Sequence, residues 1–96
     1  MLKILVACAN GAGTSLMMKM TSEKVIKKLN LQVSKIHHCS ISEGKSAASQ
    51  YDLVLCPLNF INMFKDAEAK GVKVIGLKNV MSAQEMEDKI REAGLV

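Results

Sequence analysis

Short apolar runs alternate with helix-forming stretches four times along this chain, and that alternation constrains the fold more than any other feature. The runs occupy residues 2–7, 33–39, 52–57 and 72–77, and the helical stretches about 15–29, 44–49, 60–70 and 83–93. Leu53-Val54-Leu55-Cys56 and Val72-Lys73-Val74-Ile75 are compact and apolar, as strands covered on both faces are. Ser82-Ala83-Gln84-Glu85 is a capping box, with Met81 and Met86 at the staple positions. Gly71 follows Lys70 as a helix-terminating glycine. The pattern predicts an α/β domain of three layers, a four-stranded parallel sheet flanked by helices. Residues 1–96 form one domain, long enough to bury roughly 60–70% of the unfolded surface without staples.

In such a sheet the functional crevice lies beyond the carboxyl ends of the strands, at the topological switch point. The segments that converge there are 8–15, about 39–43, 57–60 and 77–81. The first of them carries the chemistry. The strand Ile4-Leu5-Val6-Ala7 runs into Cys8-Ala9-Asn10-Gly11-Ala12-Gly13-Thr14-Ser15, and an amphipathic helix follows. A strand, a small-residue loop and a helix start form an anion cradle, because loop amides turn inward and the helix N-terminus adds partial positive charge. Here the cradle has a thiol at its lip, and the same surroundings favour the thiolate.

Two glycine motifs are excluded. Gly11-Ala12-Gly13-Thr14-Ser15-Leu16 lacks the last glycine of the dinucleotide fingerprint, and Thr14 stands where the nucleotide P-loop needs lysine. The cysteine phosphatase loop, C-x5-R-[ST], fits better: Cys8, five residues, then Thr14 and Ser15. Only the arginine is missing. That arginine clamps the phosphoryl oxygens bidentately, whereas threonine supplies one hydroxyl and no charge. The loop is suited to accept phosphate and poorly equipped to hydrolyse it, which favours transfer. A thiol phosphatase or arsenate-reductase-like enzyme using Cys8 is the alternative, and a non-catalytic anion-binding module is a third reading.

The run Val6 to Ser15 resembles the active loop of IIB components of the bacterial sugar phosphotransferase system, ascorbate-type members most and galactitol-type ones next. The likeness extends to His38-Cys39-Ser40, to Ser46–Asp52 and to Val74-Ile75-Gly76-Leu77-Lys78-Asn79, and so spans essentially the whole chain. Ala9 departs from it, standing where relatives often carry glycine. The resemblance implies a phosphatase-loop or flavodoxin-like architecture and a phosphocarrier role. Cys8 would take a phosphoryl group from a phosphohistidine of a IIA partner and pass it to a sugar bound by a membrane IIC component. Residues Ala9, Asn10, Gly11, Ala12, Gly13, Thr14 and Ser15 would cradle the phosphate, with Thr14 or Ser15 also suited to cap the helix.

Composition agrees with that setting. Three cysteines, Cys8, Cys39 and Cys56, include no C-x-x-C pair, as in a reducing cytoplasm. Apolar runs are too short for a membrane span, so membrane contact is expected only through IIC. A net charge of +4 with 3% aromatic residues leaves little platform for stacking bases, which argues against nucleic acid and for a small anion or acidic partner. No cofactor and no metal are implied. His37-His38-Cys39 suggests ligands, but adjacent strand residues face opposite ways and no pair has zinc-finger spacing. Cys39 and Cys56 read as packing residues, and Lys78-Asn79 as a solvated loop. On a wheel of residues 15–29, Met17, Met18, Val25, Ile26 and Leu29 form the apolar arc, with Thr21 and Ser22 inside it. Leu16 and Met20 fall among the charged residues within two turns of Cys8, and are expected to dock partner proteins.

Overall fold

A computed structural model describes residues 2–8, 12–79 and 81–94, with residues 12–15 as backbone only. The elements are β1 (Leu2–Cys8), α1 (Ala12–Leu29), β2 (Val33–Ser40), α2 (Ile41–Ala47), β3 (Leu53–Pro57), α3 (Lys65–Ala69), β4 (Lys73–Leu77) and α4 (Ala83–Glu92). Short 3-10 segments cover Ala48–Gln50 and Leu58–Phe64. The four strands pair in parallel in the order β2-β1-β3-β4. The chain steps from β1 outward to β2 and then crosses to β3, so the switch point lies beyond the ends of β1 and β3.

Strand alternation divides the core in two. Ile4, Val6 and Cys8 face a layer formed by α1 and α4, where Met18, Val25, Met86 and Ile90 close over them. Leu5 and Ala7 face the other layer with Cys39, Ile41, Val54, Cys56, Phe64 and Ala67, beneath α2 and α3. An ion-paired carboxylate clamps the first layer: Glu87 of α4 accepts from Lys28 of α1 at 2.8 Å and from Arg91 at 3.3 Å.

Several boundaries depart from the sequence expectation, each for a local reason. The second helix begins at Ile41 rather than 44, because the Ser40 hydroxyl accepts from the Glu43 amide and caps it. The stretch 60–70 is divided evenly, 3-10 up to Phe64 and α-helix at Lys65–Ala69. That segment lies tight on β4: a Cβ at Gly76 would stand 3.0 Å from the Leu58 Cα. α1 starts at Ala12, which makes Thr14 and Ser15 first-turn residues and not caps. Met17 is 51% exposed, contrary to its assignment to the apolar arc. It lies a full ~100° step from Met18, on the side of Lys24 and Lys28.

The closing features of helices α3 and α4 follow the sequence more closely. Gly71 has φ +96° and ends α3, with the Val72 amide donating to the Ala67 carbonyl. Ser82 caps α4 by accepting from the Glu85 amide at 3.2 Å. The Glu85 carboxylate does not complete the box, however. It accepts instead from the amides of Lys78 and Asn79, at 2.8 and 2.9 Å.

Candidate functional site

The carboxyl end of β1 delivers Cys8 to the switch point. Cys8 is the last residue of the strand, 4% exposed, and its register partner on β2 is Ser40. After three intervening residues α1 begins, an 18-residue helix with no acidic side chain in its first turn. The first four amides of a helix have no partner within the helix itself, so residues 12–15 bring such N–H groups and the positive end of a long helix close in sequence to the thiol. Ala9, Asn10 and Gly11 lie outside the described residues, as do the side chains of residues 12–15.

The other two cysteines sit on the opposite face of the sheet, and their surroundings suppress ionisation. Burial pushes the Cys39 thiol up to about 11, with the Glu43 carboxylate adding to the rise. Burial likewise pushes Cys56 up to about 12, assisted by Glu68, and its Sγ donates to the Ile75 carbonyl at 3.7 Å. Both are protonated packing residues at neutral pH, as expected from the sequence.

The loop beyond β4 is already occupied by internal bonds. Glu85 takes the Lys78 and Asn79 amides, and the Asn79 Oδ1 accepts from the Met81 amide at 3.0 Å. The hydrogen bonds from Asn79 and Lys78, in that order, hold the Glu85 carboxyl below the usual range.

Exposed apolar side chains gather around the same end of the sheet. Leu16 and Met20 of α1 are 45% and 54% exposed, and Met17 joins them. Leu58, directly after β3, and Met81, in the loop after β4, are also exposed. Sequence periodicity identified the first two and missed Leu58 and Met81, because residues outside a regular helix have no wheel to betray them. Ser40 and Glu43 were missed as well. Their spacing, Ser40-Ile41-Ser42-Glu43, is a capping signature that would have revealed both.

Comparison with known proteins agrees with this arrangement. Residues 3–92 match the family model described as "PTS system, Lactose/Cellobiose specific IIB subunit". An ascorbate-specific PTS system EIIB component of Mycoplasma pneumoniae is 29% identical over 89 residues, covering 93% of this chain and 90% of the relative. The protein of the same name from Escherichia coli O157:H7 is 28% identical over 91 residues, covering 94% and 86%. Among solved structures, the lactose-specific IIB component domain from Streptococcus pneumoniae superposes with a TM-score of 0.68 at 19% identity, covering 96% of this chain and 93% of that one. At that identity the match speaks for the fold: a small α/β domain with a parallel four-stranded sheet.

Proposed function

The chain belongs to the lactose/cellobiose-type IIB subunit family of the phosphotransferase system, whose members are phosphotransferases, and on that premise we propose that Cys8 carries the phosphoryl group. One observation supports this above all: Cys8 ends β1 at the switch point, just ahead of a long helix with an acid-free first turn. The Cys8 thiolate attacks phosphorus of a phosphohistidine on a IIA partner. The P–S bond forms as the P–N bond breaks, and the electron pair leaves with the imidazole. The sugar hydroxyl, held by a membrane IIC component, then loses its proton and attacks phosphorus. The P–O bond forms and the thiolate departs. Residues 9–15 cradle the phosphoryl oxygens in both steps, through loop amides and the first-turn N–H groups.

Thr14, in place of a clamp arginine, explains why the phosphoryl group survives long enough to be passed on. The sugar is assigned to the ascorbate class, because relatives that align over more than nine-tenths of this chain carry that specificity in their names. The exposed residues Leu16 and Met20, extended by Met17, Leu58 and Met81, supply an apolar rim for the donor and acceptor proteins in turn. No helix among the described residues is long and apolar enough to cross a membrane, and the domain is assigned to the cytoplasm, meeting the bilayer through IIC.

The test is phosphoryl uptake from a phosphorylated IIA protein. Wild type and Cys56→Ser take up one phosphoryl group per chain, whereas Cys8→Ser folds and takes up none, since a serine hydroxyl is scarcely ionised at neutral pH. Fast hydrolysis of a small aryl phosphate by the wild type, lost in Cys8→Ser, would favour the thiol phosphatase instead.

A further inference from the structure

The corner where β2 turns into α2 holds a second group of reactive side chains that phosphoryl transfer does not use. His37 and Cys39 are two apart on β2 and face the same layer. The chain passes from Ser40 directly into α2, and the Ser40 cap fixes the first turn so that Glu43 comes over the strand. Gly44 allows α2 to approach closely: a Cβ there would lie 3.0 Å from the Ala7 Cβ and 3.3 Å from the Cys39 Sγ. As a result, one imidazole nitrogen, the Cys39 Sγ and one Glu43 oxygen lie within 4.8 Å of one another.

We propose that His37, Cys39 and Glu43 form a site for a divalent metal ion of the zinc class. The donor set selects the ion. Imidazole and thiolate together favour zinc over magnesium or calcium, and a carboxylate oxygen completes three protein ligands with a fourth position open to water. Zinc bonds of about 2.0–2.3 Å in a tetrahedron place ligand atoms roughly 3.3–3.6 Å apart, so the cluster closes by ~1 Å on binding. Glu43 is exposed and turns freely enough to supply that movement. The other two ligands are already positioned. Cys39 is fixed in the core, and the His37 ring stacks with the buried Tyr51 at 6.5 Å and 17° between planes. Lys35, two residues before His37 on β2, has its ammonium over the same Tyr51 ring at 5.7 Å from the centroid. Binding displaces the Cys39 proton to solvent and neutralises a thiolate and a carboxylate with one ion. The site is independent of Cys8, which faces the opposite layer.

Cobalt(II) is the probe, added to the whole protein free of phosphate. The expected result is a sulfur-to-cobalt charge-transfer band that saturates at one ion per chain and is displaced by zinc. It persists in Cys8→Ser and Cys56→Ser and is lost in Cys39→Ser. Glu43→Gln and His37→Gln weaken cobalt binding by ~10-fold or more, the least expected of a direct ligand when changing a group that only hydrogen-bonds to a ligand already costs that much. No such band at millimolar cobalt, or a band that survives Cys39→Ser, overturns the proposal. If Cys39→Ser does not fold, the exposed Glu43 decides: unchanged cobalt affinity in Glu43→Gln overturns it equally.

Discussion

Two strand-to-helix junctions lie side by side on neighbouring strands of this sheet and differ in the charge carried at the helix start. At the first, β1 ends in Cys8 and an 18-residue helix begins after a small-residue loop, with no acid in its first turn. At the second, β2 ends in Cys39-Ser40 and a seven-residue helix follows at once, its first turn capped by Ser40 and carrying Glu43. The strands are in register, Ala7 opposite Cys39 and Cys8 opposite Ser40. Sulfur and burial are therefore nearly the same at both. The difference lies in what occupies the helix start. A serine cap and a glutamate occupy the start of α2, and burial, with the Glu43 carboxylate adding to it, pushes the Cys39 thiol up to about 11. The first turn of α1 carries no acidic residue, so no carboxylate there offsets the positive end of the helix.

Making the first junction resemble the second should break the contrast most strongly. Thr14→Asp places a carboxylate in the first turn of α1. A like charge ~5 Å from the phosphoryl group at an effective dielectric near 20 costs about 3 kcal/mol, which is roughly a hundredfold in the rate of uptake from phosphorylated IIA. The same carboxylate favours the helix N-terminus, so the thermal midpoint should hold or rise. Slower transfer with undiminished stability is the expected pair of results. A midpoint that falls with the rate would mean that the substitution acts through folding.

A smaller effect sharpens the comparison at Leu16 and Met20, which are exposed on α1 soon after the first junction. Leu16→Ser or Met20→Ser should slow transfer at subsaturating IIA by a few-fold and leave saturated transfer near wild type. Both side chains are about half exposed, so the change in stability should remain within ~0.5 kcal/mol. Initial rates against IIA concentration, with a melting curve for each variant, check both statements.

The weakest expected effect concerns the layer that carries α1. Glu87 bonds first to Lys28 and also to Arg91, which holds its carboxyl below the usual range, and Glu85 is lowered by the Asn79 and Lys78 amides. A depressed carboxyl contributes stability that is present above its unfolded value, ~4.3, and is lost as pH falls through the folded value. Thermal midpoints should therefore be flat above about pH 5 and decline below ~4.3. Glu87→Gln should flatten that decline, and an unchanged acid limb in Glu87→Gln would remove the ion pair from the account.

Much of this arrangement was legible before any coordinates, and the omissions share a cause. The four strands could be read because burial on both faces demands apolar runs, and Leu53-Val54-Leu55-Cys56 has no other use in a chain of this size. The place of Cys8 at the end of a strand and ahead of a long helix could be read because an apolar run gives way to small residues and then to a helical stretch. What failed depended on how elements sit against one another. The wheel of residues 15–29 put Met17 in the apolar arc, yet it lies on the lysine side of the helix and is exposed. Glu85 fits a capping box, yet its carboxylate is taken by the amides of Lys78 and Asn79. The start of α2 was set by a Ser40–Glu43 cap that apolar periodicity does not register. Glu43 joined His37 and Cys39 only once that cap had turned it toward the strand.

The most direct measurement is the location of the phosphoryl group. The protein is phosphorylated by a IIA partner, digested under conditions that preserve thiophosphate esters, and its peptides are mapped by mass spectrometry. The account predicts phosphate on the peptide containing Cys8 and none on those containing Cys39 or Cys56. Phosphate on His37 or His38, with Cys8→Ser still competent in transfer, would contradict it.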